Sequence, residues 1–178
     1  HCISSAASDV YKRQILEDPG GRMSSSRIRQ ALSEGDLITA RELLQRAYQF
    51  QGTVVQGRGL GHQLGWPTAN LQVDGRKFLP GLGVYAAWAW VDGENAALPA
   101  VMNLGPQPTV DPDSPSAVEV HLLDTRRDLV GRPLRVEPVE RLRGQCRFSG
   151  LEELSAQISR DAQQLSLIHI SEPTRRRG

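Results

Sequence analysis

From Gly57 to Asn70 the chain reads Gly-Arg-Gly-Leu-Gly-His-Gln-Leu-Gly-Trp-Pro-Thr-Ala-Asn, a set of residues suited to handling phosphate. Gly57, Gly59 and Gly61 stand at alternate positions after the apolar pair Val54-Val55. A loop without Cβ atoms lets backbone N–H groups come close to an anionic ligand. Arg58 adds a fixed positive charge inside that loop. Thr68 and Asn70 lie two apart, so on an extended segment their side chains share a face. A hydroxyl and a carboxamide oxygen are hard ligands of the kind Mg²⁺ accepts beside a phosphate. Together these residues describe a seat for a magnesium–nucleotide complex.

A second candidate lies further on. Val118-Glu119-Val120-His121-Leu122-Leu123-Asp124 alternates apolar and polar residues, with Val118, Val120 and Leu122 on one face and Glu119, His121 and Leu123 on the other. On the residues alone, Glu119 is a carboxylate on a solvated strand face. His121 has no cluster of His, Cys or carboxylate partners with which to complete a zinc site.

The elements that must position these residues can be read coarsely. Residues 24–47 have helical spacing: Ser24-Ser25-Ser26 offer capping hydroxyls, Gly35 ends a first helix, and Asp36 caps a second carrying Leu37, Ala40, Leu43 and Leu44. From Tyr48 onward, short apolar runs alternate with turn residues. Strands are expected at Gln49–Gln56, Gly83–Val91, Ala96–Leu104, Ala117–Leu123 and Arg132–Leu142, with Asp92-Gly93 as a two-residue hairpin signal. Phe78–Gly83 and Pro106–Pro115 read as loops. Ser149-Gly150-Leu151-Glu152 is a capping box opening a last helix with Leu151, Leu154 and Ile158 on its apolar face. Five or six strands and one late helix point to a small closed barrel, because closure removes exposed edges.

Both ends carry an unusual relationship. Asp9–Gln14 can be encoded by DNA whose reverse complement encodes Leu165-Ser166-Leu167-Ile168-His169-Ile170. The flanking residues resemble the rest of the adapters used in transposon-based sequencing libraries. Residues 1–14 and 165–178 are therefore expected to be adapter-derived and are set aside from fold reasoning. The remaining 15–164 divide into 15–47, the tail of a preceding domain with a helical linker, and 48–164, the barrel domain.

Charge follows the same division. The full chain carries a formal net charge of +1. Without the two ends it holds 16 basic and 18 acidic residues, a net of −2, which gives no footprint for nucleic acid or an anionic membrane. Cys146 is then the one cysteine left, so no internal disulfide is expected and a reducing, cytoplasmic setting fits. No apolar run approaches the ~20 residues of a membrane span.

The motif Gly-Arg-Gly-x-Gly-x-x-x-Gly-x-Pro-Thr-Ala-Asn resembles the signature of riboflavin kinases, and in particular the C-terminal module of the bacterial bifunctional riboflavin kinase/FMN adenylyltransferases. The resemblance covers about Tyr48 to Asp161. It implies a mainly β fold, a six-stranded antiparallel Greek-key barrel with a C-terminal helix. It implies ATP and riboflavin as substrates, with the γ-phosphoryl group passing to the ribityl 5′-hydroxyl to give FMN. By the same resemblance Gly57, Arg58, Gly59 and Gly61 form the ATP-phosphate loop, Thr68 and Asn70 hold Mg²⁺, and Glu119, within Glu-x-His-x-x-x-Asp, accepts or orients the hydroxyl proton. Asn103-Leu104-Gly105-Pro106-Gln107-Pro108-Thr109 matches the family's Asn-x-Gly-x-x-Pro-Thr segment, so Asn103 and Thr109 would shape the site wall. Arg143 and Phe148 fall where the family has a mobile flap and part of the flavin pocket. Gly83-Val84-Tyr85 reads as barrel core, as does the pair Trp88 and Trp90.

The match has departures. Val130 in Asp128-Leu129-Val130-Gly131 stands where a tyrosine is usual, and Gln45 replaces a frequent glycine. Ser24-Ser25-Ser26-Arg27-Ile28-Arg29 resembles the element that closes the adenylyltransferase domain, with Ser26 in place of threonine. An adenylyltransferase domain is therefore the expected neighbour in an intact parent, where it would convert FMN to FAD. Two rivals remain at this point. One is a flavin- or nucleotide-binding barrel without turnover, which would not need Thr68, Asn70 and Glu119 together. The other is a nucleic-acid-binding barrel, which would need a basic groove with exposed aromatics.

Overall fold

The computed structural model describes residues 17–18, 21–22, 25–57, 66–105, 118–123, 127–146 and 149–167. Two short strands, β1 (Glu17–Asp18) and β2 (Gly21–Arg22), form an antiparallel ladder ahead of two helices. Helix α1 (Ser25–Glu34) ends as its glycine requires. Gly35 adopts φ +76°, and the N–H groups of Gly35 and Asp36 return to the carbonyls of Leu32 and Ala31 in a Schellman arrangement. Asp36 then caps α2 (Leu37–Leu44), its Oδ1 accepting the Thr39 N–H at 2.9 Å.

Six strands follow: β3 (Phe50–Val55), β4 (Ala69–Val73), β5 (Gly83–Val91), β6 (Leu98–Leu104), β7 (Val118–Leu122) and β8 (Pro133–Arg143). They close a barrel in the order β3-β4-β7-β6-β5-β8. Every pairing is antiparallel. The Greek-key character lies in two crossings: β4 pairs with β7 instead of β5, and β8 returns to sit between β5 and β3. Phe50, Val54, Leu71, Met102, Val120 and Leu134 fill the interior, and the fully buried Ala87, Ala89 and Ala100 keep it narrow. Leu32, Leu37 and Ala40 join the same apolar cluster, so the two helices pack on the barrel. Gly81 donates its N–H to the Leu32 carbonyl at 2.8 Å, and Arg141 Nη2 donates to the Leu82 carbonyl at 2.7 Å. A last helix, α3 (Leu151–Leu167), contacts β6.

Several details depart from the sequence pattern. Strand β4 was absent from the expected set. It has five residues, with Ala69, Leu71 and Val73 alternating toward the core before the Asp74-Gly75 turn, too short a run to stand out beside the motif that contains it. Asp92-Gly93 does turn, with Gly93 at φ +78° and Glu94 N–H on the Val91 carbonyl at 3.0 Å. Pairing resumes only at Ala89↔Leu98, so the connection is longer than two residues. The capping carboxylate of α3 is Glu153, not Glu152; its Oε2 accepts from the Ser149 N–H at 2.9 Å and the Ser149 hydroxyl at 2.8 Å. Trp88 and Trp90 alternate with the inward Ala87, Ala89 and Val91 and therefore lie on the outer wall, where the Arg135 guanidinium sits 4.6 Å from the Trp90 ring centroid. Val130 is exposed in a turn held by Gly131 N–H on the Val54 carbonyl at 2.8 Å, so that position needs no phenol to form.

Candidate active site

Antiparallel pairing sets residues from different strands side by side on one face, with Cβ atoms roughly 4.5–5.5 Å apart. The register joins Val55 to Asn70, Asn70 to Glu119, Glu119 to Asn103, Asn103 to Val84, and Val84 to Arg143. Four sequence-predicted residues, Asn70, Glu119, Asn103 and Arg143, therefore lie on one transverse row around the barrel. The chain neighbours Leu71, Val118, Val120, Met102 and Leu104 point into the core, so Asn70, Glu119 and Asn103 face outward. Register shifts between Val84/Tyr85 and Ala86/Ala87 mark irregularities opposite the end of β8. Such bulges re-aim side chains next to sites.

Each member of the row is held differently. Asn70 is buried, and the backbone of Gly57 packs against its carboxamide so closely that a Cβ on Gly57 would stand 1.9 Å from Nδ2. The glycine thus has a steric reason beyond ligand approach: it makes room for Asn70. Glu119 is half-buried in the centre of the row. Asn103 is half-buried, and its Oδ1 accepts from Gln145 Nε2 at 2.8 Å. Gln145 Nε2 also reaches the Leu104 carbonyl at 2.6 Å. Arg143 forms a bidentate pair with Asp161 of α3, Nε to Oδ1 at 3.0 Å and Nη2 to Oδ2 at 2.7 Å. Those hydrogen bonds hold the guanidinium more firmly protonated than usual, against the opposing effect of burial.

Thr68 lies one residue before β4 and is half-buried. The segment leading to it is fixed by His121, whose Nδ1 lies 2.8 Å from the Pro67 carbonyl. A carbonyl oxygen only accepts, so Nδ1 carries the proton. The Trp66 ring meets the His121 ring edge-on at 5.2 Å, and Trp66 Nε1 donates to Ser155 Oγ of α3 at 3.2 Å. His121 is thus engaged as a brace for the Pro-Thr-Ala-Asn segment.

Arg58, Gly59, Gly61, Thr109 and Phe148 lie outside the described residues. Sequence reasoning missed Trp66, Gln145, Ser155 and Asp161. Asp161 left a signal: it stands three residues after Ile158, where the helical spacing of α3 calls for another apolar residue. Among the described residues no group of three or more His, Cys, Asp or Glu could hold a metal ion.

The comparisons point the same way as this geometry. The family model for flavokinase, described as riboflavin kinase, matches residues 44–169. The bifunctional riboflavin kinase/FMN adenylyltransferase of Escherichia coli K12 is 41% identical over 153 residues, covering 86% of this chain and 48% of that protein. The protein of the same description from Bacillus subtilis 168 is 37% identical over 152 residues, covering 84% of this chain and 47% of that one. The chain spans about half the length of the curated relatives it matches. A solved Streptococcus pneumoniae chain described as a macrolide-efflux protein superposes with a TM-score of 0.75 at 31% identity, covering 85% of this chain and 49% of that one. No helix among the described residues is long and apolar enough to cross a membrane. With a family match running from the end of α2 through α3, and relatives this similar, the chain belongs to the riboflavin kinase family.

Proposed function

We propose that this chain transfers the γ-phosphoryl group of ATP to the ribityl 5′-hydroxyl of riboflavin, releasing FMN and ADP. The observation that carries this is the row Asn70–Glu119–Asn103, which sets a carboxylate between two carboxamides on adjacent strands. Phosphoryl transfer asks a protein chiefly for position and charge neutralisation. In this reading the triphosphate lies on the Gly57–Asn70 side and the acceptor on the Asn103 side. Glu119, between them, takes the hydroxyl proton as the new O–P bond forms and the bond between the β,γ-bridging oxygen and the γ-phosphorus breaks. Family membership and the relatives support riboflavin and ATP as the substrates.

Thr68 and Asn70 fit Mg²⁺ in the donor chemistry they offer, two neutral hard oxygens with open positions left for phosphate. Bound with ATP, Mg²⁺ would neutralise charge on the transferring phosphoryl group. The chain's own task is to hold Asn70 in place, which Gly57 and the β3–β4–β7 pairing do. A second activity, FMN adenylylation to FAD, belongs to the proposal for an intact parent, on the strength of the bifunctional names of the relatives.

The test is incubation of the chain with riboflavin, ATP and Mg²⁺, following FMN by chromatography, with Glu119→Gln and Asn70→Ala alongside. FMN from the parent and its loss in both variants is the expected result. A folded chain that binds riboflavin and makes no FMN would instead be a non-catalytic flavin-binding barrel.

A further inference from the structure

We propose that Asp161 is a positioning residue for the acceptor side of the site, acting through Arg143 and Gln145 on Asn103; the assignment of an acceptor side rests on the riboflavin kinase reading. Asp161 is 2% exposed on α3. A buried carboxylate is costly unless it is paired and its oxygens are hydrogen-bonded. Both oxygens of Asp161 are occupied. Oδ1 accepts from Arg143 Nε at 3.0 Å and from Gln157 Nε2 at 2.9 Å, and Oδ2 accepts from Arg143 Nη2 at 2.7 Å.

A bidentate pair fixes the plane of the guanidinium as well as its distance. Arg143 Nη1 in turn donates to the Gly144 carbonyl at 3.2 Å, so the path of the chain leaving β8 is tied to α3. Two residues after Arg143, Gln145 reaches Asn103 Oδ1 and the Leu104 carbonyl. Asn103 is the cross-strand neighbour of Glu119. The connection thus runs from Asp161 to Arg143 by hydrogen bonds, along the backbone through Gly144 to the exposed Gln145, and from Gln145 to Asn103, the residue beside the proposed base. An apolar pair of similar volume often holds a helix on a barrel as well as a buried ion pair does. What the ion pair adds is direction.

The experiment compares the 178-residue chain with Asp161→Asn, Gln145→Ala and the double variant Arg143→Met/Asp161→Leu. The double variant removes both charges and keeps an apolar contact, so it remains informative if Asp161→Asn fails to fold. The expected result is a rise of about fivefold or more in KM for riboflavin in all three, with KM for MgATP within about twofold of the parent. Amide hydrogen exchange between β8 and α3 should quicken about tenfold in the Asp161 variants while β3 to β7 keep their protection. An equal rise in both KM values, or an unchanged riboflavin KM in a double variant of parental stability, overturns the proposal. If the parent makes no FMN, the kinase reading fails and exchange decides alone: unchanged exchange between β8 and α3 removes the tie as well.

Discussion

Gly57 and Asn70 share one space: a methyl group on Gly57 would stand 1.9 Å from Asn70 Nδ2 and 2.6 Å from its Cγ. The two are brought together because Val55 pairs with Asn70 and the chain runs on by two residues. Gly57→Ala must therefore push the carboxamide out of the row. Overpacking of this kind costs roughly 1–3 kcal/mol, read as a lowered urea midpoint. FMN formation should fall at least about tenfold, since the displaced group is a proposed metal ligand. Adding Asn70→Ala should restore most of the stability and none of the activity. Recovery of activity in the double variant would show that Asn70 takes no part in the chemistry.

Gln45 occupies a turn position suited to glycine. It caps the end of α2 in the left-handed region, at φ 55° and ψ 22°. A side chain there costs about 1–2 kcal/mol. Glycine would relieve that strain but lose about 0.5–1 kcal/mol in backbone entropy. The hydrogen bond from Gln45 Nε2 to the Glu42 carbonyl, 2.6 Å, is exposed and easily replaced by water. Gln45→Gly should therefore stabilise the chain by about 0.5 kcal/mol, measured by urea unfolding.

The cap at Asp36 gives a pH dependence whose sign is fixed. Hydrogen bonds from Thr39, side chain first and then backbone, hold the Asp36 carboxyl below its usual range against a small burial effect. A lowered folded-state pKa means stability that is present above the unfolded value and lost as pH falls through the folded one. Asp36→Ala should cost about 1 kcal/mol near neutral pH, less any solvent screening at this exposed site. The gap between parent and variant should shrink as the pH drops below the carboxylate range. Asp36→Asn, which caps without a titrating group, should keep a constant advantage over Asp36→Ala across that range while the parent falls relative to both. Urea midpoints at neutral and strongly acid pH check both.

The barrel and its helices were legible because they obey local rules. Gly35 and Asp36 mark the break between α1 and α2 by themselves, and the alternation of Val118 to Leu122 fixes which side of β7 faces the core. Strand β4 escaped because its alternation, Ala69, Leu71 and Val73, spans only five residues and overlaps a motif read for its chemistry. The site was legible in its residue types but not in its assembly. Nothing in the spacing of Asn70, Glu119, Asn103 and Arg143 says that they form one row, because that follows from non-local register. Trp66 and Gln145 were hidden for the same reason: each acts on a partner far along the chain, 89 residues away for Trp66 and 42 for Gln145. Only Asp161 announced itself, as a charge on an apolar helix face.

Asn70 and Glu119 are neighbours with different proposed tasks, and their variants should fail differently. Asn70→Ala removes a neutral oxygen from the cation's surroundings and leaves the base intact. Its rate should still respond to Mg²⁺, with half-saturation at about tenfold higher metal at fixed ATP. Glu119→Gln keeps the shape and hydrogen-bonding reach of the side chain while removing its ability to take a proton. Its kcat should fall about 10²–10⁴-fold with the Mg²⁺ dependence unchanged within about twofold. Because Glu119 is only half-buried on a strand that keeps its pairing, thermal unfolding of that variant should match the parent. The reverse pattern, metal dependence moving with Glu119 and not with Asn70, would mean that the carboxylate is the cation's ligand and that the proton leaves by another route.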